Sequence, residues 1–145
     1  MASTPPQLPT PDFYDYAWLP AASVHVVGRF VRVAWSDGTT LDAFDWWLRE
    51  NAVDAGGVDL ATREHLLDPA NVAEELRIGS AELTVDGALA VTFEPDGAKA
   101  QFHPGWLRHV ADGNHRAQSW LPTATSWMPT TFSEPPTFDL SLIHI

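Results

Sequence analysis

The sequence predicts an α+β domain: a small antiparallel sheet of hairpins with short helices, built as two similar halves. Two observations carry this. Asp37-Gly38 is followed by Trp47-Leu48-Arg49, and Asp96-Gly97 is followed at the same ten-residue spacing by Trp106-Leu107-Arg108. Each Asp-Gly also ends a run of alternating apolar residues, Phe30-Val31-Arg32-Val33-Ala34-Trp35 in one copy and Leu89-Ala90-Val91-Thr92-Phe93 in the other. Asp-Gly suits a tight turn, because glycine accepts positive φ and the aspartate can hydrogen-bond its own backbone. Each copy is therefore a strand, a turn, a short return strand and a helix that opens on an aromatic anchor. Two copies make one small domain, since a solenoid needs at least three. Strands grouped with short helices favour an α+β layer over a βαβ order.

Residues 1–21 form a leader with Pro5, Pro6, Pro9, Pro11 and Pro20, too many prolines to propagate helix or sheet. It is expected to be extended, with Phe13, Tyr14, Tyr16 and Trp18 able to dock it. The folded body spans 22–112. Val24 to Trp35 is strand material broken at Gly28, where a bulge or kink is expected. Thr39 to Leu41 returns after the first turn, and Asp42 or Asp45 caps a helix over Trp46 to Glu50. Gly56-Gly57 ends that segment. A loop over Asp59 to Leu67 leads to Asp68-Pro69, and Ala70 to Leu76 is expected to be a short helix. Glu82 to Val85 is a strand, Asp86-Gly87 a hairpin turn and Ala88 to Phe93 its partner. Pro104 suits the first turn of a helix through Trp106 to Val110. Residues 113–139 hold Pro122, Pro129, Pro135 and Pro136 among serines and threonines, the composition of a linker.

At 145 residues the length suits one domain, and 45% hydrophobic residues with seven tryptophans allow a sizeable core. There is no cysteine, which excludes disulfides, thiolate metal sites and thiol catalysis and fits a cytoplasmic location. Met1 to Pro11 has no basic cluster followed by an apolar run, so a secretory signal is not expected. No stretch of about 18 apolar residues offers a membrane span. A net charge of −11, with Lys99 as the only lysine, argues against nucleic acid as a partner, because phosphate binding rests on basic residues.

Val33-x-Trp35-x-Asp37-Gly38 followed by Trp47-Leu48-Arg49-Glu50-Asn51 resembles the N-terminal domain of the γ-butyrobetaine hydroxylases and the related trimethyllysine hydroxylases. A strand, Pro95-Asp96-Gly97, another strand and Phe102-x-x-x-Trp106-Leu107 extend the resemblance over residues 25–112, with Arg63 and Asp68-Pro69 between. Leu121-Pro122 and Pro136-x-Phe138-Asp139 resemble the family's passage into a catalytic domain. The resemblance implies a parent enzyme of carnitine biosynthesis, an iron(II)- and 2-oxoglutarate-dependent dioxygenase that hydroxylates a trimethylammonium substrate. Such chemistry needs two histidines and a carboxylate on one face of the metal, and the resemblance implies that the first two come as His-x-Asp or His-x-Glu. None of His25, His65, His103, His109, His115 and His144 is followed two places on by a carboxylate. The chain alone is therefore expected to be catalytically inert, a scaffold making interdomain or homodimer contacts, with iron and 2-oxoglutarate held by a catalytic domain absent from it. Leu140 to Ile145 resembles translated sequencing-adapter DNA, so the native protein is expected to continue after about Asp139. The alternative is a stand-alone interaction module with no enzymatic partner domain.

The resemblance implies a structural zinc that relatives of this domain often carry, held by three close cysteines and a histidine. The matching positions here are Ala52, Asp54, Gly57 and about Ala98. One carboxylate does not hold zinc, so the resemblance implies that the metal has been lost and that packing supports the loop. His103, His109, Asp112 and His115 form a conceivable metal cluster, weighed against surface polar groups at a helix end, where the dipole favours histidine. Trp46-Trp47 could cage a quaternary ammonium; the competing expectation is that Trp47 and Trp106 pack as equivalent anchors. Arg49 and Arg108 are expected to pair with nearby acids or cap carbonyls, and Arg63-Glu64 and Glu74-Glu75 to form a solvated face. No catalytic, cofactor-binding or metal-binding residue is assigned.

Overall fold

The computed structural model describes residues 7–72 and 74–113. The first six residues, the linker from 114 to 139, the tail 140–145, His115 and His144 lie outside the described residues. The first half runs β1 (Ser23–Val27), β2 (Phe30–Ala34), β3 (Thr40–Phe44) and α1 (Asp45–Glu50). The second runs β4 (Arg77–Leu83), β5 (Leu89–Glu94), β6 (Lys99–Phe102) and α2 (Pro104–Ala111). The hairpins form two separate three-stranded antiparallel sheets, ordered β1-β2-β3 and β4-β5-β6. Each is followed directly by its helix, so the two similar halves are present.

The Asp-Gly turns behave alike. Trp35 N donates to Thr39 O at 2.9 Å and Phe93 N to Ala98 O at 2.8 Å, so the second hairpin loop is one residue longer. Asp37 Oδ1 accepts from Thr39 N at 3.0 Å, and Asp96 Oδ1 from Ala98 N at 3.1 Å. Alternation along the strands puts Val31 and Val33 of β2, Leu89, Val91 and Phe93 of β5, and Ala100 and Phe102 of β6 into one core. Leu48 and Leu107, which follow the anchor tryptophans, are fully buried in the same core. Burying a side chain of that size contributes about 1.5–3 kcal/mol. β1 adjoins β4, α2 lies against β3, and a 3-10 turn after α1 (Val53–Ala55) lies against β6.

Three expectations are corrected. Gly28 is no bulge. With φ +60° it opens a two-residue turn, and Val27 pairs with Phe30 across it, so the run from Val24 to Trp35 is two antiparallel strands. A register shift does occur between Ile78 and Ser80, at Gly79, where a Cβ would come 2.8 Å from the Glu94 side chain. Neither Asp42 nor Asp45 caps α1, whose N-cap is Phe44 with no side-chain cap bond. Asp42 lies mid-strand, in bidentate contact with Arg32. Asp45 is the first helical residue, fully buried, and accepts from Arg29 Nε at 2.8 Å and Nη2 at 3.2 Å. Ala70 to Leu76 is not a helix. Asp68 caps only a 3-10 turn, Pro69–Asn71, and β4 begins at Arg77, because Leu76 and Ile78 bury themselves in the core.

Candidate functional site

Trp47 and Trp106 are each the third residue of their helix, and each helix starts where its sheet ends. That equivalence brings the two indoles face to face, stacked with centroids 5.1 Å apart and planes 4° apart. Trp106 is buried and also stacks on Phe102, while Trp47 is half-buried at the rim of the core. One indole face of Trp47 is thus covered by its counterpart, which favours paired anchors over an ammonium cage.

The arginines that follow reach across. Arg49 of the first half pairs with Asp96 in the turn of the second at 3.3 Å, and its Nη1 donates to Ala55 O at 3.0 Å. Arg108 of the second half pairs with Asp37 in the turn of the first at 2.7 Å, and its Nε donates to Asp112 at 2.9 Å. Each guanidinium also sits over an aromatic ring of the other half, Arg49 over Phe93 at 5.8 Å and Arg108 over Trp35 at 5.6 Å. The Thr39 backbone N–H and then Arg108 hold the Asp37 carboxyl down to about 2. Half-exposed ion pairs add little energy; their value here is geometric, fixing one half against the other by a reciprocal clasp.

The histidines do not converge. His103 is the N-cap of α2, its Nδ1 accepting from Gly105 N at 3.1 Å and Trp106 N at 3.4 Å. Burial lowers its pKa, in keeping with a neutral imidazole that accepts at Nδ1. His109 packs on Tyr16 at 5.3 Å, and Asp112 belongs to Arg108. His25 is exposed on β1, and His65 lies beside the Glu50 carbonyl. Among the described residues no three metal-ligating side chains gather.

The leader follows the body closely. Trp18 Nε1 donates to Asp86 O at 2.8 Å, Ala21 N to Gly87 O at 3.1 Å, and Trp35 Nε1 to Leu19 O at 3.1 Å. A Cβ on Gly105 would strike the Ala17 carbonyl oxygen, so glycine there lets the leader backbone lie on the first turn of α2. Tyr16 and Trp18 dock, while Phe13 and Tyr14 stay 69% and 74% exposed. Tyr16 O–H donates to Asp12 at 2.8 Å, and burial together with that carboxylate raises the phenol pKa. Arg63 is not on a solvated face. Its Nε donates to Asp12 O at 3.0 Å and its guanidinium covers the Phe13 ring at 5.2 Å. Glu64, Glu74 and Glu75 are exposed as expected. Arg63, Asp45 and the capping role of His103 are the residues that local pattern does not reveal.

No family model matches the sequence. The chain is 34% identical over 100 residues to a γ-butyrobetaine dioxygenase of Pseudomonas sp. (strain AK-1). This stretch shares its origin with γ-butyrobetaine dioxygenase. The match takes in 68% of this chain and only 26% of that protein, so the chain spans about a quarter of its relative's length.

Against the γ-butyrobetaine hydroxylase pattern, the zinc positions carry the wrong chemistry. Ala52, Gly57 and Ala98 have no donor side-chain atom. Asp54 turns its Oδ2 to the backbone N–H of Gln101 at 3.1 Å, fastening the 3-10 turn to the outer edge of β6. Ala52 is fully buried, and Gly57 N donates to its carbonyl at 2.8 Å. A zinc ion does not fit this donor set.

Proposed function

We propose that this domain is the scaffold part of a larger iron(II)- and 2-oxoglutarate-dependent dioxygenase of the γ-butyrobetaine hydroxylase type, and that it carries no catalytic group of its own. The observation that supports this most is the 34% identity to γ-butyrobetaine dioxygenase over a stretch without any His-x-Asp or His-x-Glu. Iron and 2-oxoglutarate would supply oxygen activation elsewhere in that protein, and the residues here do not fit either group. What they offer is a rigid body, fixed by the reciprocal clasp, with apolar surface left over. Val27, Phe30 and Phe44 lie in one cross-strand row on β1, β2 and β3, with the two phenyl centroids 4.3 Å apart and Phe44 half exposed. Such a patch suits burial against the remaining polypeptide or a second copy.

Purified chain supplied with iron(II), 2-oxoglutarate and γ-butyrobetaine is expected to form no succinate; turnover would overturn the reading. The native gene gives the second test. Coding sequence that continues past codon 139 into a His-x-Asp or His-x-Glu supports the dioxygenase reading, and a natural stop near codon 145 favours the stand-alone module.

We also propose that packing has taken over from zinc in the loop over 52–57. Prolonged treatment with EDTA is expected to leave the thermal midpoint unchanged. A fall of several degrees, reversed by added zinc, would show a metal that this donor set does not explain.

A further inference from the structure

We propose that His103 is the catch of a pH-released strap: the leader from Thr10 to Ala21 stays seated while the imidazole is neutral and lifts from α2 when Nδ1 takes a proton. The geometry is the argument. Nδ1 is the acceptor for two backbone N–H groups of the first turn, Gly105 and Trp106. A proton there removes both bonds and sets a positive charge at the positive end of a helix dipole. The same ring is part of the leader's seat. Its edge meets the Trp18 indole at 4.7 Å and 75°, and Tyr16 lies at 6.3 Å. Gly105, whose N–H is one of the two donors, is the residue on which the Ala17 carbonyl rests. A change at one imidazole therefore reaches the leader through Trp18 and through Gly105.

The charged and titratable groups around it are few. The leader brings Asp12, Tyr14, Asp15 and Tyr16 to the shared cleft, the connecting loop brings Arg63, and α2 brings His109 against Tyr16. Asp12 is engaged by the Thr10 and Tyr16 hydroxyls and the Tyr14 N–H. Of the influences on the ring, burial is the one that opposes its protonation. It holds the seated imidazole below its ordinary value. The sign follows. Above about pH 6.5, the ordinary imidazole value, seated and released forms are both neutral and the seat is at full strength. As pH falls below that, the released form binds protons more readily, so the seat weakens until pH lies below the seated pKa.

The test uses the full chain labelled with nitrogen-15. Between about pH 7.5 and about pH 5, either side of the ordinary imidazole value, the solvent-exchange protection of the Trp18 indole N–H and the Ala21 amide is expected to be lost in part. His103→Asn keeps an N-cap acceptor that does not titrate and is expected to hold protection flat over the same range. His109→Asn should leave the fall in place. A flat response in the unaltered chain, the same fall in His103→Asn, or loss of the fall in His109→Asn would each overturn the proposal. Should His103→Asn fail to fold, the His103 ring nitrogen shifts of the unaltered chain decide: protonation of Nδ1 coinciding with the loss of Trp18 protection supports the strap, and protonation at a separate pH overturns it.

Discussion

Trp106→Ala is expected to cost about 3–5 kcal/mol of unfolding free energy, the usual toll for emptying a buried aromatic site. The indole is 5% exposed and lies between Trp47 and Phe102, so its removal takes away the apolar burial, the stacking and the floor beneath Trp47 together. Domains of this size are stable by about 5–15 kcal/mol, so the loss takes a large share of the total. Trp47→Ala should cost clearly less, because that indole is half-buried at the rim of the core. Urea melts of both variants measure this through the midpoint, provided the slope is unchanged. A loss below about 1 kcal/mol for Trp106→Ala would mean that the halves are joined elsewhere than at the stack. A two-step melt would mean that they do not unfold as one body.

What the sequence revealed of this arrangement was its local part. Asp37-Gly38 and Asp96-Gly97 announce their turns because the chemistry is contained in two residues, and Pro104 announces the start of α2 for the same reason. The ten-residue interval to Trp47 and Trp106 then marked two equivalent units. The clasp between them was beyond local pattern. That Arg49 answers Asp96 and Arg108 answers Asp37 is a property of how the halves face each other, and pairing within each half is equally compatible with the sequence. Gly28 misled because Gly28-Arg29 lacks an Asn-Gly or Asp-Gly signature, so one apolar run concealed a hairpin. Asp68-Pro69 is a sound helix start, yet only a 3-10 turn forms there before the chain enters β4, since Leu76 and Ile78 gain more from the core than a short exposed helix returns. The leader's prolines signalled extended chain and hid its seat. The seat depends on Gly87 and Gly105, where a side chain would strike Pro20 and Ala17, and close approach of two distant backbones leaves no periodic trace.

Gly57 carries the other large expectation. Its backbone is buried in the loop after α1, where a Cβ would stand 2.6 Å from both the Arg49 and the Glu50 carbonyl oxygens. Those are backbone atoms of the helix's last turn and cannot swing aside as a side chain can, so Gly57→Ala must displace the loop from α1. Overpacking of this kind costs about 1–3 kcal/mol or more, or a midpoint fall of roughly 4–24 °C at the usual 4–8 °C per kcal/mol for a small domain. The displacement should also be felt at a distance, because Arg49, whose carbonyl is struck, holds both Ala55 and Asp96. Gly56 is the control. It has open space around it but a φ of +72°, so Gly56→Ala meets only backbone strain, of about 1–2 kcal/mol. Thermal melts of the two variants separate close packing from turn strain. If Gly57→Ala melts no earlier than Gly56→Ala, this loop is not held by its fit against α1, and the proposal that packing stands in for the family's metal loses its physical basis.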